Sequence, residues 1–222
     1  MDAELELQLR LFRIVCHQET DENCKKALSV SFARSPSLTL NIFTTIIISS
    51  SMLSSSETEE EIKNYLTHGK TILHILALKG FASSIEFLLS KGVDPMGGIN
   101  REDTESVTPI LLACDSGEIN TIKVLIKYGA IFDIRCARTF AIIEKDFFEW
   151  LIAEAWRETG DIKTSIINGL QICLGEFRDQ ILYFEGSSEL CRKASALSAL
   201  LESEAYSTEV TGAIAAASSE DI

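Results

Sequence analysis

Two stretches of this chain repeat one spacing of threonine, apolar residues and glycine, and that duplication restricts the fold more than any single residue does. The first stretch reads Thr71-Ile72-Leu73-His74-Ile75-Leu76-Ala77, continues through Gly80, Ile85 and Phe87-Leu88-Leu89, and closes on Gly92-Val93-Asp94-Pro95. The second reads Thr108-Pro109-Ile110-Leu111-Leu112-Ala113-Cys114, continues through Gly117, Ile122 and Val124-Leu125-Ile126, and closes on Gly129-Ala130. In both, the first glycine falls nine residues after the threonine and the second glycine twelve residues later. Two unrelated helices would not keep that register.

Each conserved position of the spacing has a physical reason. Thr71 and Thr108 are suited to cap a short helix, and Pro109 stands where a missing N–H costs nothing. Leu73, Leu76 and Ala77, like Ile110, Ala113 and Cys114, fall at the three-and-four spacing of one apolar stripe. Gly80 and Gly117 are expected to end the first helix in the left-handed conformation, with Gly92 and Gly129 doing the same after the second. Each stretch is therefore helix, turn, helix and connection. Neither can bury its stripe alone, so the units must stack.

The pattern resembles the ankyrin repeat, with its period of about 33 residues and its opening Thr-Pro-Leu-His-x-Ala. The two threonines stand 37 residues apart, which puts about four extra residues in the connection Met96 to Val107, where such arrays carry a projecting finger. Ile72 replaces the usual proline, Leu76 the usual alanine and Leu111 the usual histidine. The resemblance implies an all-α fold: a short ankyrin-repeat solenoid flanked by N- and C-terminal helical caps or bundles.

Arrays need three or more layers, so the flanks are expected to supply the missing ones. The expected organisation is an N-terminal helical region or cap at 1–68, two repeats at 69–133, a degenerate third repeat or cap at 134–160 and a C-terminal helical region at 161–222. Upstream, Glu57 to Leu66 reads as an acidic helix start leading into Thr71; Ala3 to His17 and Asp21 to Ala33 read as further helices. Downstream, Phe140, Ile143, Phe147, Trp150 and Leu151 mark an amphipathic stretch from Ala137 to Trp156. Asp161 is placed to cap the next helix, and a last one opens near Ser188.

The net charge of −13 opposes binding to nucleic acid through phosphate neutralisation and favours a partner with a basic surface, plain solubility being the bland alternative. The six cysteines, at 16, 24, 114, 136, 173 and 191, form no CxxC pair and no ligand spacing with the three histidines. A reduced, cytoplasmic setting is the expectation, and the acidic start Met1-Asp2-Ala3-Glu4 is unlike a secretory signal. Residues 35–56 carry no charge, but Asn41, Thr44, Thr45 and the serines dilute their apolar core below the ~20 residues a bilayer requires. A buried helix, with no membrane span, is expected there.

No catalytic residue, metal site or cofactor emerges. His74 occupies the signature histidine, which the resemblance assigns to bonding the backbone of a neighbouring turn. Cys16 and His17 are adjacent and point about 100° apart on a helix, which disfavours a nucleophile and base pair. Glu57, Glu59, Glu60 and Glu61 read as a solvated helix start, and Trp150 and Trp156 as packing residues.

The resemblance thus implies a non-catalytic adaptor that binds another protein across its concave face and finger. Carried over residue by residue, that surface comprises Ile75, Leu78 and Lys79 in the first repeat, Leu112, Asp115 and Ser116 in the second, and Met96, Ile99, Asn100, Arg101, Glu102 and Asp103 in the finger. The finger is expected to be mobile and solvent-exposed. The alternative is a host-directed bacterial effector, or an enzyme whose activity lies in the flanking helices; a pocket of convergent polar groups with shifted pKa values in the flanks would favour it.

Overall fold

The computed structural model describes residues 10–11, 13–34, 62, 64–65, 67–91, 98–139, 144–197 and 199. Expectations for residues 1–9, the uncharged segment 35–56, the acidic run 57–61, Gly92, Met96, Phe140 and Ile143 lie outside that set. Among the described residues every regular element is helical, and the fold is all-α. The helices are α1 (Asp21–Arg34), α2 (Ile72–Leu78), α3 (Ala82–Leu89), α4 (Pro109–Asp115), α5 (Ile119–Lys127), α6 (Ile134–Thr139), α7 (Lys145–Arg157), α8 (Gly160–Glu176) and α9 (Arg178–Leu182). Helical residues also occur at 10–11, 13–17 and 187–197, the first two called helix 10–17 below. The chain divides into two units, Met1–Ile131 and Phe132–Ile222.

In the first unit α2 packs on α4 and α3 on α5, which is the stacking that the duplicated stripes demand. Leu73, Leu76, Ala77, Ile110, Ala113 and Cys114 are all buried. Gly80 and Gly117 have φ of 71° and 70°. After each, the chain closes the helix end with paired backbone bonds: Phe81 N–H to Leu76 O and Glu118 N–H to Ala113 O, both 3.0 Å. The turn is thus built twice from one pair of left-handed glycines.

Repeat one also carries a layer drawn from far upstream. α1 packs on α3, and the Asp21 carboxylate accepts from the backbone N–H of Ser83 (2.7 Å) and Ser84 (2.8 Å) and from the Ser84 hydroxyl (2.6 Å). These contacts join the N-terminal end of α1 to that of α3, supplying an acceptor for the orphan donors of α3. At the same turn, Lys79 Nζ donates to Cys16 O (2.7 Å) and Gln18 O (3.3 Å), covering carbonyls at the end of the helix that closes at His17. α1 therefore lies against α3, and Lys79 ties the end of the preceding helix to the end of α2.

In the second unit α8 packs on α6, α7 and α9. Its core gathers Phe147, Phe148, Leu151, Ile166, Ile167 and Leu170, and Phe132 sits 6.0 Å from Phe147 between ring centroids. A side chain at Gly169 would meet the Phe132 ring at 3.4 Å, so the glycine lets α8 close on that aromatic. α7 and α8 have 13 and 17 residues, against seven to nine for the repeat helices. Two details differ from the sequence reading. α8 begins at Gly160 with Asp161 in its first turn, and Trp156 is 54% exposed whereas Trp150 stacks on Phe147.

Candidate partner-binding surface

The inner helices α2 and α4 end side by side. Their last residues and caps, Leu78-Lys79 and Asp115-Ser116, form one edge, and the Ser116 hydroxyl ties it by donating to Leu78 O at 3.3 Å. Leu78 is 38% exposed; Asp115 and Ser116 are exposed and Leu112 partly so. This edge carries an apolar residue beside an acidic one. Lys79 is not available to it, because its ammonium is held by the carbonyls of Cys16 and Gln18.

The N-terminal ends of the same helices are held by a polar network. The Thr71 backbone N–H donates to His74 Nδ1 (3.0 Å), with the Thr71 hydroxyl 2.8 Å from the same nitrogen. Since an amide can only donate, Nδ1 is unprotonated, and Nε2 carries the hydrogen it gives to Val107 O at 3.0 Å. Burial holds the imidazole neutral, lowering its pKa to about 4 against the favourable bond to Val107. In repeat two Leu111 replaces the histidine, and the Thr108 hydroxyl itself accepts from Leu111 N–H at 3.4 Å.

The finger is built around Asp103. One carboxylate oxygen accepts from Glu105 N–H (2.8 Å) and Val107 N–H (3.0 Å), and the other from Lys70 Nζ (2.5 Å). Burial alone would raise this carboxyl, but Lys70 and the two amides outweigh it and hold the pKa below its ordinary value. Asn100 bridges to the next turn, donating to Gly129 O (3.0 Å) and accepting from Ile131 N–H (2.8 Å).

Several expected contact residues are thereby reassigned. Ile75 and Ile99 are fully buried, Asp103 is 8% exposed, and Asn100 and Lys79 spend their polar groups inside the protein. Ile75 and Ile99 fill stacking faces, Asn100 and Lys79 satisfy backbone groups of a neighbouring layer, and Asp103 closes its own loop onto Lys70, so the described part of the finger is a packed connector rather than a mobile loop. Arg101 and Glu102 remain exposed on it. They belong to the N-terminal ends of the inner helices, whereas Leu78 and Ser116 belong to the C-terminal ends, about 10 Å away over a seven-residue helix. Sequence reasoning read Asp21 only as a helix start and missed Lys70 and Arg10; the target of each lay on another element.

Residues 42–137 match the family model described as Ankyrin repeats (3 copies). The described residues within that stretch form the helix-turn-helix units of ankyrin repeats, which generally mediate protein–protein interaction. The match begins upstream of the two repeats legible in the sequence and ends at Ala137, within α6. No curated protein matches the chain. No described helix is long and apolar enough to cross a membrane.

Proposed function

We propose that the chain is a non-catalytic adaptor whose array binds a partner protein along the edge formed by Leu78, Leu112, Asp115 and Ser116, with Arg101 and Glu102 as an outlying contact. The observation that carries this reading is Leu78, an apolar side chain left 38% exposed beside Asp115, where the stacking of α2 on α4 holds both in place. The acidic chain favours a basic patch on that partner. Five of the six cysteines are buried and all six are free thiols, in keeping with a reducing compartment such as a cytosol.

In the flanks, the groups whose pKa values move are Cys24 and Cys173, each pushed up by burial, and Glu189, drawn down by Arg192. Burial accounts for the two thiols and a surface ion pair for the carboxylate, so each shift has a structural cause within its own unit. The test is capture from lysate with the intact chain and with Leu78→Asp/Asp115→Arg, alongside thermal melts. Loss of one or more captured proteins at unchanged melting temperature supports the reading; an unchanged set of captured proteins removes this edge as the binding surface.

A further inference from the structure

The layer made by helix 10–17 and α1 carries a groove of about 590 Å³ lined by Arg10, Ile14, Asn23, Lys26, Ala27 and Val30. On α1 the groove residues Asn23, Lys26, Ala27 and Val30 recur at three- and four-residue spacing, a stripe separate from Cys24 and Leu28, which are buried. Val30 is 52% exposed, so the apolar floor is open to water.

Arg10 stands at one side of this floor with its direction fixed. Nε and Nη2 donate to the Ser31 hydroxyl at 3.0 and 2.6 Å, and Nη2 reaches Ser31 O at 3.3 Å. Ser31 is 2% exposed and therefore a rigid anchor. Both acceptors are neutral, and no carboxylate is paired with Arg10 among the described residues, so the guanidinium is oriented but its charge is not compensated. Lys26 adds a second cation, paired among the described residues with exposed Glu22 at 3.5 Å, a pair of little energetic weight. Residues 10–34 contain five basic and three acidic side chains in a chain whose net charge is −13. One of those three, Asp21, is spent on α3.

We propose that this groove binds short peptide segments of a partner protein that combine acidic with apolar side chains, the carboxylate meeting Arg10 and Lys26 and the apolar side chain covering Ile14, Ala27 and Val30. A small anion would leave the floor wet, and an uncharged apolar segment would leave Arg10 uncompensated; the pairing of the two features selects the peptide class. The site is distinct from the array edge and has the opposite charge preference.

A random peptide display library selected on the full chain, followed by fluorescence anisotropy with the best labelled synthetic peptide, tests the proposal. The selected sequences should pair Asp or Glu with Leu, Ile, Val or Phe. Affinity should fall at least about tenfold in Val30→Asp, in Arg10→Gln and in about 0.5 M salt, and should be unchanged in Leu78→Asp. Circular dichroism checks that each variant is folded. If Arg10→Gln is unfolded, Val30→Asp, altered at a half-exposed position, decides alone. Absence of acidic–apolar sequences among those enriched, or affinity of such a peptide that survives Val30→Asp, would overturn the proposal.

Discussion

His74 and Val107 are joined by a 3.0 Å bond from Nε2 to a carbonyl oxygen, across 33 residues of sequence and from one repeat to the next. The imidazole sits with Nδ1 against the N-cap of α2 and Nε2 against the residue preceding the N-cap of α4, so one neutral side chain fixes the spacing of both inner helices.

That arrangement makes stability depend on pH. Burial places the folded pKa of His74 at about 4, below its ordinary 6.5, so as pH falls the unfolded chain takes up the proton first. The contribution is complete above pH 6.5 and is lost through the window down to about 4, with a slope of up to about 1.4 kcal/mol per pH unit. Asp103, held below its ordinary 3.8, adds a loss of the same sign only at lower pH. His74→Leu, which copies the residue at the equivalent place in repeat two, should cost about 1–3 kcal/mol at pH 7 and abolish the slope between pH 6.5 and 4.5 in urea melts. A variant retaining the full slope would assign it to another group.

Gly80 and Gly117 share a left-handed φ but not their surroundings. A side chain at Gly80 would run into Glu118, whereas one at Gly117 meets nothing within 4 Å. Gly117→Ala should cost about 1 kcal/mol from φ alone, and Gly80→Ala more. The excess should vanish in Gly80→Ala/Glu118→Ala, measured as a double-mutant cycle; equal costs for the two single substitutions would show that Glu118 swings away without penalty.

Within the finger, Ile99→Ser and Asp103→Ser should each lower stability by about 2 kcal/mol or more, since one empties a buried apolar position and the other strips Lys70 and two amides of their acceptor. Arg101→Ser and Glu102→Ser, both exposed, should stay within about 0.5 kcal/mol. Four melts decide between a packed connector and a mobile loop.

Ser84 and Thr121 occupy the same place, four residues after the first glycine of each repeat, and differ in their polar environment. The Ser84 hydroxyl reaches Asp21, while the fully buried Thr121 hydroxyl has no partner. Thr121→Val, equal in shape, should stabilise by about 1 kcal/mol, and Asp21→Ala should destabilise by about 1–2 kcal/mol and speed hydrogen exchange at Ser83 and Ser84. Slowed or unchanged exchange would deny Asp21 its role as a cap.

The repeats were legible because everything that builds them is local: the threonine, the apolar stripe and the left-handed glycine lie within nine residues of one another, and backbone sterics tie each to its place. The same holds for the all-helical class. What the sequence by itself could not determine is which polar side chains face a neighbouring layer. Asp103 and Arg101 look alike in a glycine-bearing acidic loop, yet one is buried on Lys70 and the other is exposed. Ile75 and Leu78 are three residues apart on one short helix, and only the layer against it decides which is covered. The placement of α1 on α3 joins Asp21 to Ser84 across 63 residues. Those outcomes are set by burial and by the need to satisfy backbone groups of another layer, which are properties of the stack, so tertiary structure alone turned expected contact residues into connectors and gave Arg10 a fixed direction above an open groove.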